Sequence, residues 1–378
     1  MKKLFLFVLA AAVTLQAYGQ KIVKGEIEGV PYQGSYHPTY SSDGACYAPK
    51  NVILMIGDGT GLAQISAGYF ANNEDLTYFN LKHMGWVTTK SADAFTTDSA
   101  ASGTAYATGE KTYNYAVGVD LQKRPLANIP ERVIGNGVIS GVVSTDDLNG
   151  ATPASFFAHQ ENRGMTDQIW ADVPGSVLTY FAAGSKEVFE KRPEETQKAI
   201  RDKFTVVHYV GSPAAASADR LGVLPPAVET GYIVNGRTDF LPKATREAID
   251  FLNTRTEEGK GFFLMVEGAR IDKAAHANQF ESMVKEMLDF DKAIAEAIKF
   301  ADEDGNTLVI ISADHETGGL AVAEGNPARG EASGNYVYTW HSAIPVPLFA
   351  YGPHAQDFMG VQGNEEVGQK IINLLTGK

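Results

Sequence analysis

The sequence predicts an α/β fold with a large, mostly parallel central sheet and helices on both faces. Apolar runs of strand length alternate with longer segments of helical periodicity, which is typical of a parallel sheet covered by helices. The chain has 378 residues, of which 44% are hydrophobic, so it can fill the core of such a domain. The predicted strands are residues 51–57, 138–143, 262–266, 307–311 and 346–350. The predicted helices are residues 99–108, 153–161, 243–253, 280–300 and 366–375.

The first strong element is the strand at residues 51–57. Its apolar run ends at Asp58 and Gly59, the pattern of a strand that is buried on both faces and turns sharply at its carboxyl end. Residues 20–50 lack periodicity, and we expect an irregular extension that lies over the domain. Residues 211–236 are rich in Ala, Pro and Gly, and we expect a long surface excursion there.

The N-terminal residues indicate a secretory signal. A basic start is followed by an apolar run over residues 4–13 and by small residues that end at Gly19. We therefore predict a signal peptide over residues 1–19, cleaved after Gly19, and a periplasmic or secreted protein. The alternative is a buried N-terminal helix. Because no later linker divides the chain, residues 20–378 are predicted to form a single catalytic domain.

Charge and cysteine content restrict the partners and the means of stabilisation. The net charge is −13, which argues against nucleic acid or an anionic membrane as a partner, and no later apolar stretch is long enough to span a bilayer. An anionic substrate then needs local positive charge, most simply from metal ions. Cys46 is the single cysteine, so an intramolecular disulfide is excluded. A buried thiol, a surface thiol and an intermolecular bridge remain alternatives for it.

Polar side chains that suit phosphate chemistry occur near the ends of predicted elements, and in open α/β sheets ligands bind outside the carboxyl ends of strands. Asp58 follows the first strand, although by itself it could belong to an ordinary Asp-Gly turn. Ser99 lies at a predicted helix start, where free N–H groups and the helix dipole favour a phosphate and an alkoxide. A role as helix N-cap explains Ser99 equally well.

A second set of such residues follows the strand at residues 262–266. Glu267 comes directly after it, and Asp272 and His276 are four positions apart. A carboxylate and an imidazole at this spacing lie on one helical face and can share one Zn²⁺. A solvated helix start with its usual acidic residue is the alternative.

A third set follows the strand at residues 307–311. Asp314 and His315 are adjacent, so they can serve one site only where the chain leaves the sheet. His341 is the remaining candidate ligand, with a structural histidine as the alternative. Carboxylates, imidazoles and a serine near strand ends together predict a multinuclear hydrolytic site with O and N ligands.

These segments, from residue 51 to residue 355, resemble the alkaline phosphatase family in order and spacing. The motifs that carry the resemblance are Met55-Ile56-Gly57-Asp58-Gly59, Thr97-Asp98-Ser99-Ala100-Ala101-Ser102, Ala151-Thr152-Pro153-Ala154 with Arg163, Val266-Glu267-Gly268-Ala269-Arg270-Ile271-Asp272-Lys273 with His276, Ser312-Ala313-Asp314-His315-Glu316-Thr317-Gly318-Gly319, and His341 followed by Ala350-Tyr351-Gly352-Pro353.

The resemblance implies hydrolysis of small phosphate monoesters at two Zn²⁺ ions. Ser99 is then the nucleophile, which forms a phosphoserine that water hydrolyses with retention at phosphorus. Arg163 matches the family's phosphate-binding arginine, since a guanidinium can bind two phosphate oxygens. Without the match, Arg163 would be assigned to the surface. The implied ligands are Asp272, His276 and His341 for one zinc, and Asp58, Asp314, His315 and the Ser99 oxygen for the other.

The resemblance also implies a Mg²⁺ site, formed by Asp58, Thr152 and Glu267. Gly150 stands where the family usually has Asp or His, so one ligand is absent and we expect weakened magnesium binding. Lys273 is predicted to contact phosphate through water. The residues that can compensate from nearby are Asp146, Asp147 and Asn149.

Other assignments remain open. A phosphodiesterase or sulfatase of the same superfamily shares the layout of metal ligands, and a non-catalytic phosphate- or metal-binding surface protein belongs to another class. The short segment between Glu316 and His341 leaves little room for the large insertion of some relatives, so an open site is expected. Many members of the family are homodimers, which makes a homodimer one expectation.

Overall fold

The structure is a computed structural model that describes residues 22–378, so the predicted signal peptide over residues 1–19 lies outside the described part. The strands are β1 (Val23–Ile27), β2 (Asn51–Gly57), β3 (His83–Thr88), β4 (Ile139–Asp147), β5 (Leu178–Gly184), β6 (Thr205–Val207), β7 (Leu221–Val223), β8 (Phe262–Gly268), β9 (Thr307–Ser312), β10 (Glu316–Thr317), β11 (Leu320–Asn326), β12 (Glu331–Tyr336), β13 (His341–Ser342), β14 (Val346–Tyr351) and β15 (Gly360–Gly363). The helices are α1 (Leu62–Ala71), α2 (Ser99–Thr108), α3 (Ile129–Val133), α4 (Ala151–Ala154), α5 (Thr166–Asp172), α6 (Lys186–Phe189), α7 (Glu194–Lys203), α8 (Ala227–Thr230), α9 (Phe240–Asn253), α10 (Arg270–His276), α11 (Phe280–Asp304) and α12 (Asn364–Thr376). Short 3₁₀ turns occur at Thr77–Asn80, Ile134–Asn136, Val173–Gly175, Pro213–Ser217, Ile233–Asn235, Pro327–Arg329 and Ala355–Phe358.

Ten of these strands form the central sheet, in the order β15-β3-β14-β9-β2-β8-β4-β5-β7-β6. All neighbouring pairs are parallel except those of β14, which runs antiparallel to both β3 and β9. The predicted α/β fold with a mostly parallel sheet is therefore confirmed. A small sheet in the order β1-β12-β11 and the two-stranded pair of β10 and β13 complete the strands described for residues 22–378.

Helices cover both faces of the central sheet. The side chains of β2 alternate between the two faces and so enter two different apolar clusters. Ile53 and Met55 belong to one cluster, together with residues of α9 and α11. Val52 and Leu54 belong to the other cluster, together with residues of α2 and α12. All residues from Val52 to Ile56 are fully buried, which explains the continuous apolar run in the sequence.

Three predicted segments are corrected. The predicted helix at residues 153–161 is only the single turn α4, and helical bonding cannot continue past Ala158 because His159 N donates to Asp172 Oδ2 and Gln160 N donates to Val117 O. The predicted surface excursion at residues 211–236 contributes β7 to the central sheet, with Leu221 and Val223 fully buried. The predicted irregular extension contains β1, which pairs with β12. Cys46 is exposed, so a buried thiol is excluded.

A buried cluster of charged residues connects helix α11 with the segment that precedes α9. Arg237 Nη2 lies 2.6 Å from Glu286 Oε2 and 2.6 Å from Asp289 Oδ2, and all three side chains are almost completely buried. Arg237 Nη1 donates to Gly231 O, and Glu286 Oε1 accepts from Ile233 N. Burial raises the pKa of Glu286 to about 7 even beside this arginine.

Replacing Arg237 by methionine is expected to lower the free energy of unfolding by about 3–5 kcal/mol, because two buried carboxylates lose their counterion. The loss should be larger at pH 8 than at pH 5, since the carboxylates take up protons in the folded variant at the lower pH. Urea unfolding at both pH values measures this. Arg246→Met, which removes a partly exposed arginine paired with Asp250, is the matched control and should lose less than about 1 kcal/mol. Equal small losses for both variants would contradict the role of Arg237 as the counterion of the two buried carboxylates.

Candidate active site

The candidate active site lies where strands of the central sheet end. β2 leads into Asp58, Glu267 is near the end of β8, and Asp314 follows β9. Gly59 has a φ of 71°, and a Cβ there would lie 2.8 Å from the Cα of Asp272. Glycine therefore lets the turn after β2 approach α10, which brings side chains from separate strands together.

One group of potential ligands, here called the His315 cluster, consists of Asp58, Asp314 and His315. Their ligand atoms all lie within 4.8 Å of one another. His315 Nε2 is 3.2 Å from Asp314 Oδ2 and 3.6 Å from Asp58 Oδ1. Within residues 22–378, neither of these two carboxylate oxygens takes part in a hydrogen bond, although both are buried. Buried, unpartnered oxygens that face one imidazole nitrogen suit a metal ion.

The charges of the His315 cluster also favour a cation. Burial raises the pKa of Asp58 well above its usual range, and the nearby carboxylates of Asp314 and Asp272 raise it further. Asp314 Oδ1 accepts from Gly59 N at 3.1 Å and from His315 N at 3.0 Å, so this carboxylate is fixed by the backbone. A bound cation would balance the negative charge that these residues concentrate.

The second group, the His276 cluster, consists of Asp272, His276 and His341. Its ligand atoms also lie within 4.8 Å of one another. Asp272 and His276 are four residues apart on α10, with Asp272 Oδ2 at 3.3 Å from His276 Nε2. The Nε2 atoms of His276 and His341 are 3.1 Å apart. The donor atoms therefore point toward a common position.

Hydrogen bonds orient both imidazoles of the His276 cluster. His276 Nδ1 lies 2.7 Å from Thr339 O, and His341 Nδ1 lies 2.8 Å from Thr97 O. A proton held on Nδ1 leaves Nε2 as the metal-binding atom. Burial and the neighbouring His315 lower the pKa of His341 to about 4, so this ring is neutral and able to bind a metal at neutral pH. The two clusters contain the same residues as the two predicted zinc sites.

The structure shows which residue caps the start of α2. Asp98 is the N-cap residue, because its Oδ1 accepts from Ala101 N at 3.1 Å. Ser99 is the first residue of the helix, and its Oγ lies 3.2 Å from His315 Nε2. The alternative that Ser99 is the N-cap is therefore wrong. Its hydroxyl instead faces the His315 cluster.

Asp98 also holds Arg163. Arg163 Nη1 donates to Asp98 Oδ2 at 3.0 Å, while Asp98 Oδ1 accepts from Tyr115 N at 2.9 Å. The backbone of Arg163 is fixed as well, through its N–H to Tyr115 O at 2.8 Å. Sequence reasoning missed this role of Asp98, although an Asp directly before a helix start is itself a capping signal.

The residues of the predicted magnesium site lie beside the His315 cluster. Thr152 Oγ1 is buried and, in the described part of the chain, has no hydrogen-bond partner. Glu267 Oε2 accepts from Ser144 Oγ. Burial, reinforced by the charge of Asp146, raises the pKa of Glu267 to about 8. These oxygens fit a hard cation, which would compensate the buried carboxylate.

Asp146 lies against Gly150, at the position of the missing ligand. A Cβ at residue 150 would lie 2.7 Å from Asp146 Oδ2. The other oxygen, Asp146 Oδ1, pairs with Lys273 Nζ. Asn149 Oδ1 accepts from Trp170 Nε1 at 2.8 Å, so its carbonyl is already engaged. Asp146 therefore provides the side chain closest to a Cβ at residue 150, and the backbone oxygen of Asp147 lies there as well, at 3.0 Å.

An α/β sheet that holds two O/N ligand clusters around a serine has the arrangement of a metal-dependent ester hydrolase. The family model for alkaline phosphatase matches residues 49–195 and 232–338. Alkaline phosphatase 4 of Bacillus subtilis is 36% identical over 87% of this chain and 89% of its own length. Alkaline phosphatase of Escherichia coli is 30% identical over 82% of this chain and 83% of its own length. The chain belongs to the alkaline phosphatase family.

Solved structures agree with this assignment. The alkaline phosphatase of the Antarctic bacterium TAB5 is 37% identical, with a TM-score of 0.82 over 88% of this chain and 99% of that chain. A mutant of the same enzyme, 36% identical with a TM-score of 0.82 and the same coverage, was solved with Mg bound. The protein described here is thus an enzyme that hydrolyses phosphate monoesters, with metal cofactors. None of the helices between residues 22 and 378 has the length and apolar character needed to cross a bilayer.

Proposed function

We propose that the enzyme hydrolyses small phosphate monoesters through a phosphoserine intermediate on Ser99, next to two zinc ions. The observation that carries the proposal is the position of Ser99 Oγ, 3.2 Å from His315 Nε2 and free of a capping role. A serine used only as a cap would turn its oxygen to the backbone of its own helix. Here the oxygen faces a cluster of metal-ligand atoms, as a nucleophile requires.

The residues of the chain prepare the phosphoryl group for attack by Ser99. Zinc ions at the two clusters would lower the pKa of the serine hydroxyl and stabilise the charge on the leaving oxygen. The N terminus of the ten-residue helix α2 directs its free N–H groups and positive dipole end toward a phosphate at Ser99. Arg163, oriented by Asp98, offers a guanidinium that can bind two phosphate oxygens.

The proposed cofactors are two Zn²⁺ and one Mg²⁺ per chain. The Mg-bound structure of the related TAB5 mutant supports a magnesium site in this chain. Lys273 contacts phosphate through water in this proposal, while its pairing with Asp146 keeps it beside the magnesium position. Export by a signal peptide to the periplasm or beyond, a single domain over residues 20–378 and a homodimer remain predictions. The proposed zinc ligands are Asp272, His276 and His341 for one ion, and Asp58, Asp314 and His315 for the other. The proposed magnesium ligands are Asp58, Thr152 and Glu267.

Turnover of three matched substrates tests the proposed function. An aryl phosphate, the corresponding diester and the aryl sulfate are compared at mildly alkaline pH with the zinc- and magnesium-loaded enzyme. The monoester should give the highest kcat/KM, because Arg163 and the two clusters suit a dianion. Faster cleavage of the diester or the sulfate would favour the alternative activities. No turnover after metal-stripped protein is reloaded with zinc would favour a non-catalytic binding protein.

Magnesium binding is expected to be weak, because Gly150 provides no side-chain ligand. Calorimetric titration of the zinc-loaded enzyme with Mg²⁺ measures the affinity. The double variant Asp146→Ala, Gly150→Asp is the matched comparison, since it removes the side chain that lies closest to a Cβ at residue 150. Binding should become about 10-fold tighter or more in this variant. Tight stoichiometric binding to the parent enzyme would contradict the expectation.

A further inference from the structure

Trp340 forms part of the wall beside the His276 cluster. Its ring stacks on that of His341, with centroids 4.7 Å apart and planes within 7° of parallel. It also lies 5.1 Å from the ring of His276. The ring of His315 also stacks on His341, with centroids 3.4 Å apart. The indole therefore belongs to a set of stacked rings that includes residues of both clusters.

The backbone around Trp340 is well anchored, so the indole has a defined position. Trp340 O accepts from Gly318 N at 2.9 Å, and the preceding carbonyl, Thr339 O, is bound by His276 Nδ1. Despite these contacts the residue is 50% exposed. Stacking on His341 occupies one face of the indole, and the exposure leaves apolar aromatic surface open beside the His276 cluster.

The geometry of phosphoryl transfer brings the leaving group to this surface. In an in-line displacement the leaving oxygen lies opposite the attacking oxygen. Ser99 attacks from the His315 cluster, so the leaving oxygen lies on the side of the His276 cluster. The organic part of the ester is attached to that oxygen and must extend outward beside the two imidazoles. Trp340 lies against both of those rings.

We propose that Trp340 is a specificity-determining residue that stacks against aromatic leaving groups of the phosphate monoester substrates. The inference rests on the proposed function, because it uses Ser99 as the nucleophile. Two other exposed aromatic residues lie on the chain segments before and after Ser99: Phe95 is 83% exposed and Tyr115 is 47% exposed. Their apolar surface also suits an apolar leaving group. The chemical class expected is an aryl, benzyl or heteroaromatic phosphate monoester.

The test compares benzyl phosphate with butyl phosphate, whose alcohol leaving groups are similar in acidity. Trp340→Ala should lower kcat/KM for benzyl phosphate about 3- to 10-fold more than for butyl phosphate, the range expected for an aromatic stack. Trp340→Phe, which keeps an aromatic ring, should retain most of the preference, whereas Trp340→Leu should lose it. Trp86→Ala removes a partly exposed tryptophan from β3 and is the matched control, with no change in the ratio.

A binding measurement accompanies the kinetics. Titration of the metal-loaded parent and variants with benzylphosphonate and butylphosphonate, which are not hydrolysed, should show the same loss of aromatic preference in Trp340→Ala. Equal losses for both substrates and both phosphonates would overturn the role of Trp340, because the residue would then act only through its metal-binding neighbours. Absence of monoester turnover in the parent would overturn the proposed function instead, and the titrations would still decide the aromatic preference.

Discussion

Replacing Ser99 by alanine is expected to lower kcat for an aryl phosphate by at least about 10³-fold, because the nucleophile of a two-step mechanism is removed. The variant should keep its bound metal, since the carboxylates and imidazoles of both clusters are unchanged. Steady-state kinetics and elemental analysis measure the two effects. The parent enzyme, quenched in acid during turnover of a phosphorus-labelled substrate, should carry the label on the peptide that contains Ser99.

Ser102→Ala is the matched control for this prediction. Ser102 lies in the same helix and donates to Asp314 O at 2.8 Å, so its loss perturbs the neighbourhood without removing the attacking oxygen. Activity should fall less than about 10-fold in this variant. Full activity of Ser99→Ala, or label on a different residue of the parent, would contradict the proposed nucleophile.

Replacing Asp314 by asparagine is expected to remove the zinc of the His315 cluster and to lower activity at least about 10³-fold. The amide can still accept from Gly59 N and His315 N through one oxygen. Its NH₂ group, however, would then point at the position now faced by the unpartnered Oδ2, where it repels a cation and provides no lone pair. Zinc content per chain and kcat/KM measure the effect.

Asp291→Asn is the matched control for Asp314→Asn. Asp291 is also a buried aspartate that accepts from two backbone amides, those of Thr77 and Tyr78. Because burial raises the pKa of Asp291 to about 7, its ionisation costs the folded parent stability as the pH rises toward and past that value. The asparagine variant should therefore keep both zinc ions and be more stable relative to the parent at pH 8 than at pH 5. Unchanged zinc content in Asp314→Asn would contradict the ligand assignment.

The sequence predicted several strands whose burial produces a clear pattern, although it missed β5, which is almost entirely buried. β2, β8 and β9 are buried on both faces, so each appears as an uninterrupted apolar run. The strand β3 was missed because its buried and exposed residues alternate over a short stretch. The strand β7 has three residues, and its central glycine lies where a Cβ would clash with the ring of Phe181. Such a segment is defined by its neighbours rather than by its own periodicity.

The candidate site likewise contains features that could be predicted from the sequence and features that could not. Ligand residues that follow apolar strands, such as Asp58 and Asp314, could be found because strand ends share one edge of the sheet. The pairing of Asp146 with Lys273 could not be found, since it joins residues on different elements and depends on the space left by Gly150. The double role of Asp98 likewise depends on how the backbone near Tyr115 folds back on α2.

The reversed direction of β14 explains how His341 reaches a site whose other proposed zinc ligands, together with Ser99, lie at the ends of parallel strands or on the helices α2 and α10. In the parallel part of the sheet, a chain arrives at this edge when it leaves a strand. A strand of opposite direction begins at that edge, so the residues that precede β14 lie there. Because β14 runs antiparallel to its neighbours, the segment that leads into this strand can provide a ligand to the site. In proteins of this architecture, a histidine upstream of an antiparallel strand is as suitable a candidate ligand as a carboxylate downstream of a parallel one.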